Sequence, residues 1–155
     1  MTNPENDRIE RKIVLSAPRA RVWRALSDAA EFGQWFRVRL EGAFHEGTTV
    51  VGQITYPGYE HLGFEMQVVE LVPERYFSYR WRPNAIDPNR DYSAEPMTLV
   101  EFTLEDVPGA KGTLLTIVES GFSRLPADRR AEAFRSNDGG WAEQLKNIER
   151  HVGQS

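Results

Sequence analysis

Residues 126–152 read PADRRAEAFRSNDGGWAEQLKNIERHV, and the rest of the chain has to be built to fit them. This is the one long segment without a strand signal. In its second half Trp141, Leu145, Ile148 and Val152 follow one another at offsets of 4, 3 and 4, which places them on one face of a helix. Glu143, Gln144, Lys146, Asn147, Glu149 and Arg150 make the opposite face wholly polar. A helix with such a stripe must lay it on something, and nearly everything upstream reads as strands. The expected architecture is therefore a sheet gripping one long helix. Gly139 and Gly140 interrupt the pattern at a cost of roughly 1 kcal/mol each relative to alanine. The pair predicts a bend, or a close approach of backbone to the sheet or a ligand. It divides the segment into a part ending near Asn137 and a packed half beginning at Trp141.

Working outward, Arg8 to Leu15 puts Ile9, Ile13 and Leu15 in one parity, as in a first strand with one face half solvated. Ser16, Ala17 and Pro18 start a helix, with Ser or Ala near the cap and proline in the first turn. Its apolar side carries Val22, Trp23, Leu26 and Ala29. After a break at Asp28 to Gly33, the adjacent Trp35 and Phe36 cannot share a face of one element, which suits a short second helix ending in a turn. Six β-rich runs follow: Val38 to Phe44, Thr48 to Tyr56, Leu62 to Val72, Tyr76 to Arg82, Met97 to Glu105 and Thr113 to Ser120. Turn residues separate them, among them His45-Glu46-Gly47, Pro57-Gly58, Pro73-Glu74 and Pro108-Gly109. Short connections imply antiparallel neighbours, hence a meander of about seven strands counting the first. One connection, Pro83 to Pro96, is long and holds prolines at 83, 88 and 96, which suggests a lid or pocket mouth.

Within these runs the faces differ in clarity. Phe77, Tyr79 and Trp81 alternate with Ser78, Arg80 and Arg82, so the aromatic side should look inward at the helix. Val100, Phe102 and Leu104 repeat that pattern. In Thr113 to Ser120 the register stays open, because Leu115 and Ile117 share a parity with Glu119 while Leu114 and Val118 share the other.

Composition narrows the function classes. A chain of 155 residues is expected to form one domain, here residues 8–152, with 1–7 and 153–155 as flexible ends. There is no cysteine, so neither a disulfide nor a cysteine-based metal site enters. A formal charge of −4 and a pI near 5.5 give no broad basic footprint for nucleic acid. The N-terminus MTNPENDRIERK lacks the apolar core of a signal peptide, and no apolar run approaches the ~18 residues of a membrane span. A cytoplasmic location follows as the expectation.

His45, His61 and His151 show none of the paired spacings of a metal site, no glycine-rich phosphate loop follows a strand, and no cofactor is expected. Glu119-Ser120-Gly121 is not a nucleophile elbow, which needs glycine on both sides of the serine. Arg19, Arg21, Arg24, Arg37 and Arg39 concentrate positive charge locally; a solvated face balanced by nearby acids is the simpler reading, a binding patch the sharper one. The aromatics are the informative set. Phe77 and Phe102 read first as core, whereas Tyr79, Trp81 and Trp141 each carry a polar atom that needs a partner when buried.

Four segments resemble a known family: IVLSAPRARVWRALSDAAEFGQWF at 13–36, GFEMQVVELVPERYFSYRW at 63–81, TLVEFTLEDVPGAKGTLLTIVESGF at 98–122 and GGWAEQLKNIERHV at 139–152. Together they are similar to the SRPBCC or START-like (Bet v 1-like) superfamily, and within it to the group named after the activator of Hsp90 ATPase. The resemblance implies the α+β helix-grip fold, a bent antiparallel sheet of about seven strands around a long C-terminal helix, with two short helices after the first strand. It also implies that Glu119 faces the helix, where a carboxylate would be paired or raised in pKa and could serve acid–base work or hydrogen-bond a ligand. The superfamily hosts many functions on one scaffold.

The leading expectation is a ligand-binding protein enclosing a small hydrophobic, aromatic or lipid-like molecule between sheet and helix. Trp35, Phe36, Tyr56, Phe64, Tyr79, Trp81, Phe102, Glu119, Trp141 and Leu145 would line the site. Two alternatives stand beside it: a chaperone-associated, stress-linked partner of an Hsp90-type ATPase, and a cyclase- or hydrolase-type enzyme with Glu119 as its weak catalytic candidate. Monomer and homodimer are both compatible with the sequence.

Overall fold

Thr98–Asp106 and Thr113–Ser120 form the middle of the sheet's best-buried half, their pairing bringing Leu104 opposite Leu115, Phe102 opposite Ile117 and Val100 opposite Glu119. The computed structural model describes residues 7–83, 85, 89–109 and 112–153. Its elements are β1 (Arg8–Leu15), α1 (Arg19–Ser27), α2 (Ala29–Phe36), β2 (Val38–Glu41), β3 (Thr49–Ile54), β4 (Gly63–Val72), β5 (Tyr76–Trp81), β6 (Thr98–Asp106), β7 (Thr113–Ser120) and α3 (Ala127–Gly153). This is the α+β helix-grip arrangement, with seven antiparallel strands, two short helices after the first and one long helix at the end.

Strands β2 to β7 form the expected meander, but β1 does not sit beside β2. The order is β1-β7-β6-β5-β4-β3-β2, with Arg8 opposite Ser120 and Leu15 opposite Thr113. The connection through α1 and α2 is long enough to carry the chain from one sheet edge to the other, so strand adjacency in sequence fails here alone. The register left open in β7 is decided by this pairing on both sides. Thr113, Leu115, Ile117 and Glu119 all point inward and are buried.

The helix starts differ from expectation in one place. Neither Ser16 nor Ala17 caps α1; Pro18 itself holds the N-cap in an extended conformation, its carbonyl accepting from Arg21 and Val22. Asp28 caps α2 by accepting from the amides of Ala30 at 2.9 Å and Glu31 at 3.2 Å. Helix α2 then turns sharply into β2, and Gly33 allows it: a Cβ there would lie 2.2 Å from the Val38 carbonyl oxygen. A 3-10 turn at Phe122–Arg124, which the sequence pattern did not reveal, seats buried Phe122 against Phe134 at 5.3 Å.

Helix α3 buries Trp141, Leu145, Ile148 and Val152, the anticipated stripe, and extends it upstream through Ala133 and Arg129. No break in the helix marks Gly139-Gly140. The helix is continuous from Ala127 to Gly153, both glycines are exposed, and nothing lies within 4 Å of the place a Cβ would take on either. The stripe of apolar residues passes to one side of the pair, so the sheet never approaches that backbone.

Candidate functional site

Glu119 is the residue on which the interior converges. Strand β7 aims it at α3, and its relative exposure is 0%. Its oxygen Oε1 accepts from Trp141 Nε1 at 2.8 Å and Asn137 Nδ2 at 3.0 Å. Oε2 accepts from Thr98 Oγ1 at 2.5 Å, Trp81 Nε1 at 2.7 Å and Asn137 Nδ2 at 3.1 Å. These donors come from β5, β6 and α3, and all of them are neutral. A buried carboxylate is costly unless hydrogen-bonded, and here neutral dipoles replace its hydration.

This arrangement follows from local rules. Trp81 and Thr98 are directly opposite in the β5–β6 ladder, so both reach inward beside Glu119. Asn137 and Trp141 lie one helical turn apart and therefore share a face of α3. Two of the four partners, Thr98 and Asn137, escaped the sequence reading. Thr98 shares the inward parity of Val100 and Phe102, and Asn137 precedes Trp141 by four residues; those spacings were the available signals.

A carboxylate offers about four lone-pair positions. With five accepted contacts from four side chains, Glu119 has its acceptor capacity engaged inside the protein. It ties the indoles of Trp81 and Trp141 to one carboxylate and so fixes both rings.

Above the anchor lies a sheet of rings. Trp81 and Trp141 have centroids 5.8 Å apart, Phe36 sits 5.7 Å from Trp81 and 6.2 Å from Trp141, and Phe64 sits 5.9 Å from Trp81. Phe102 packs edge-on to Trp141 at 5.9 Å from beneath. Beside these rings, between sheet and helix, lies an indentation of about 100 Å³ bounded by Phe36, Trp81, Asn137, Gly140, Trp141 and Gln144. A roomier opening is at the rim. A cleft of about 520 Å³ runs along the ends of β3 and β4, lined by Val51, Gly52, Ile54, Leu62, Gly63, Phe64, Glu65, Trp81, Arg82 and Ala85. Trp81 borders both spaces. A hollow of similar size, about 530 Å³, lies along the first turns of α3 beside Arg130 and Phe134.

Tyr79 sits fully buried beneath Trp81, its ring 5.4 Å away and its hydroxyl without a hydrogen-bond partner among the described residues. Burial pushes its phenol well above the ordinary range, and the Glu119 charge adds to that, so the group is neutral.

The remaining expected lining residues are placed elsewhere. Trp35 is core: its indole donates to the Ala25 carbonyl at 2.8 Å and joins α2 to α1. Leu145 packs under α3 one turn beyond Trp141 and borders neither space. Tyr56 is displaced from the site, because β3 ends at Ile54 and Tyr56 falls in the exposed turn, against Tyr59 at 5.7 Å. The arginine concentration resolves as paired charge on α1: Arg19 meets Asp106 at 2.8 Å, while Arg21 and Arg24 meet Glu31 at 2.8 and 2.6 Å.

The long connection is pinned down where it is described. Arg129 of α3 meets Glu95 at 2.8 Å, donates to the Pro83 carbonyl at 3.1 Å and lies 4.7 Å over the Tyr92 ring. Arg90 reaches Asp128 at 2.8 Å. Part of the expected lid, residues 84 and 86–88, lies outside the described residues. Among the described residues no group of three or more acidic or histidine side chains is placed to hold a metal ion, and no helix is long and apolar enough to cross a membrane.

The family model for activator of Hsp90 ATPase homolog 1-like protein matches residues 16–153. No curated protein sequence matches the chain. Among solved structures, protein MLL2253 from Mesorhizobium loti superposes with a TM-score of 0.74 at 21% identity, over 96% of this chain and 98% of that one. The Aha1 dimer from Colwellia psychrerythraea gives 0.67 at 19% identity, over 92% of each chain. DynU16, from the dynemicin biosynthetic locus, gives 0.71 at 22% identity over 95% of this chain, which spans only 47% of that protein. At these identities the likeness is one of fold.

Proposed function

This chain belongs to the activator of Hsp90 ATPase homolog 1-like family, within the START-like superfamily, and from that premise we propose that it binds a small, mostly apolar aromatic molecule at the rim cleft. The observation that carries the reading is the cleft itself. Its volume of about 520 Å³ falls in the range of small-molecule sites, and its lining is mainly apolar with a few polar groups at the mouth. Arg82 and Glu65, 3.7 Å apart, supply those polar groups.

Trp81 makes the cleft a pre-organised surface. Its indole nitrogen is tied to Glu119, so the ring presents a fixed face to a ligand and loses little freedom on binding. The ligand would stack on Trp81 and Phe64, with the indentation beside Trp141 accepting at most a small substituent. This narrows the earlier expectation from a molecule enclosed between sheet and helix to one held at the rim.

Titration of tryptophan fluorescence with a panel of aromatic and fatty compounds, beside native mass spectrometry of protein purified without added ligand, tests the proposal. Binding should weaken about tenfold in Phe64→Ala, the scale of one well-packed aromatic contact. A retained or added compound whose affinity is the same in Phe64→Ala and Trp81→Phe as in the parent protein would sink the rim as the site. The family name by itself supports a chaperone partner; the α1 arginines already engaged by Asp106 and Glu31 do not favour that helix as the docking surface.

A further inference from the structure

A second, chemically opposite pocket lies between the end of α2 and the last turns of α3. It measures about 140 Å³ and is bounded by Gln34, Trp35, Arg37, Asn147, Arg150 and His151. Its lining includes two arginines, a histidine and two amide residues and no acidic residue, although His151 Nε2 meets Glu31 at 2.8 Å and Asn147 donates to Gln144 at 3.0 Å. We propose that this pocket binds a phosphate group, free or carried as a small monoester.

The first support is two exposed cations, Arg37 and Arg150, with no acidic partner among the described residues; the Arg37 guanidinium lies over the Tyr56 ring at 5.6 Å. The nearest acid, Glu31, is already shared by Arg21 at 2.8 Å, Arg24 at 2.6 Å and His151 at 2.8 Å. The two helix ends oppose the cations with roughly half an elementary charge each, which two full guanidinium charges exceed.

The second support is backbone conformation. Arg37 closes α2 in the left-handed region, at φ 69 and ψ 55. Glycine is the usual occupant of that position, because any Cβ costs about 1 kcal/mol or more there. Arg37 shares this conformation with Glu74, at φ 64, and unlike Glu74 it borders this pocket, which its side chain can serve. Two planar forks and nearby amide donors suit the several acceptor oxygens of a phosphate dianion better than a single point charge would.

Inorganic phosphate and glycerol phosphate, titrated separately against 15N-labelled protein at constant ionic strength set with chloride, test the assignment. Saturable shifts centred on Arg37, Arg150 and His151 are expected. Arg37→Gly keeps the backbone conformation while removing the fork, and Arg150→Gln removes the other; each should weaken phosphate binding about tenfold, the loss expected for one charge-assisted contact. Tighter binding of glycerol phosphate would assign a monoester and tighter binding of inorganic phosphate the free ion, both in support. The proposal is overturned by shifts that do not saturate, that acetate or chloride reproduces equally, or that survive unchanged in both variants.

Discussion

Glu119 and Tyr79 are neighbours with opposite hydrogen-bond accounts, and that contrast can be measured. Glu119→Gln keeps the shape but turns one acceptor oxygen into a donor that faces Trp81 and Thr98 or Trp141 and Asn137. At least one buried donor is then orphaned, so stability should fall by about 1–3 kcal/mol, read as a lower midpoint in denaturant. Tyr79→Phe removes a buried hydroxyl that has no partner among the described residues, and the same experiment should give an unchanged or higher midpoint. On the outer face of β5, Tyr76 donates to Glu101 at 2.5 Å, and burial together with that bond pushes its phenol from 10.0 up to about 12. A phenol raised on folding favours the native state fully below its unfolded pKa. That contribution disappears as pH climbs from about 10 through about 12, and Tyr76→Phe should flatten the alkaline limb of a stability–pH curve.

Glycines that look alike in sequence separate at the scale of elements. Gly33 sits where α2 turns into β2, and a methyl group there would have to displace the Val38 carbonyl 2.2 Å away. Gly33→Ala should cost about 1–3 kcal/mol, as overpacking does. Gly139 is exposed in mid-helix with nothing within 4 Å of a Cβ, so Gly139→Ala should add about 0.5–1 kcal/mol through helix propensity. Thermal unfolding of the two variants side by side decides both, and equal losses would restore a packing role for the Gly139-Gly140 pair. Local pattern carried most elements to within a residue or two, including β1 and β7, whose bounds coincide with their β-rich runs. It failed at Pro18, which caps α1 through backbone alone, and at Phe122–Arg124, a single turn too short to carry any periodicity.

Across the whole molecule, the long connection after β5 is held to the first turns of α3 by one buried pair. Arg129 and Glu95 are 2.8 Å apart with side chains 8% and 9% exposed. Arg129→Ala leaves the buried Glu95 with Arg90 alone, 3.1 Å away, and should cost about 1–3 kcal/mol, the scale of a lost charge-assisted hydrogen bond. Limited proteolysis should then cut first between residues 89 and 96, and cleavage at the parent rate would mean that the clamp is unimportant.

What the sequence determined alone was everything with a period. Trp141, Leu145, Ile148 and Val152 fall on one helical face because of 3.6-residue geometry, and Phe77, Tyr79 and Trp81 on one strand face because of alternation. The seven strands and the grip around the last helix follow from the need to bury those two surfaces together. What only the tertiary structure decided was everything set by residues far apart in the chain. The place of β1 beside β7 depends on how α1 and α2 cross the sheet, and that crossing leaves no local mark. Glu119's side of β7 was ambiguous until pairing with β1 and β6 fixed it. Its four donors come from residues 81, 98, 137 and 141, a convergence in space that no spacing along the chain encodes. The same holds for the open space. Rings predicted to line an enclosed cavity pack against one another beside Trp141, and larger openings appear at the rim of β3 and β4 and along the start of α3, because packing settles where side chains stop meeting.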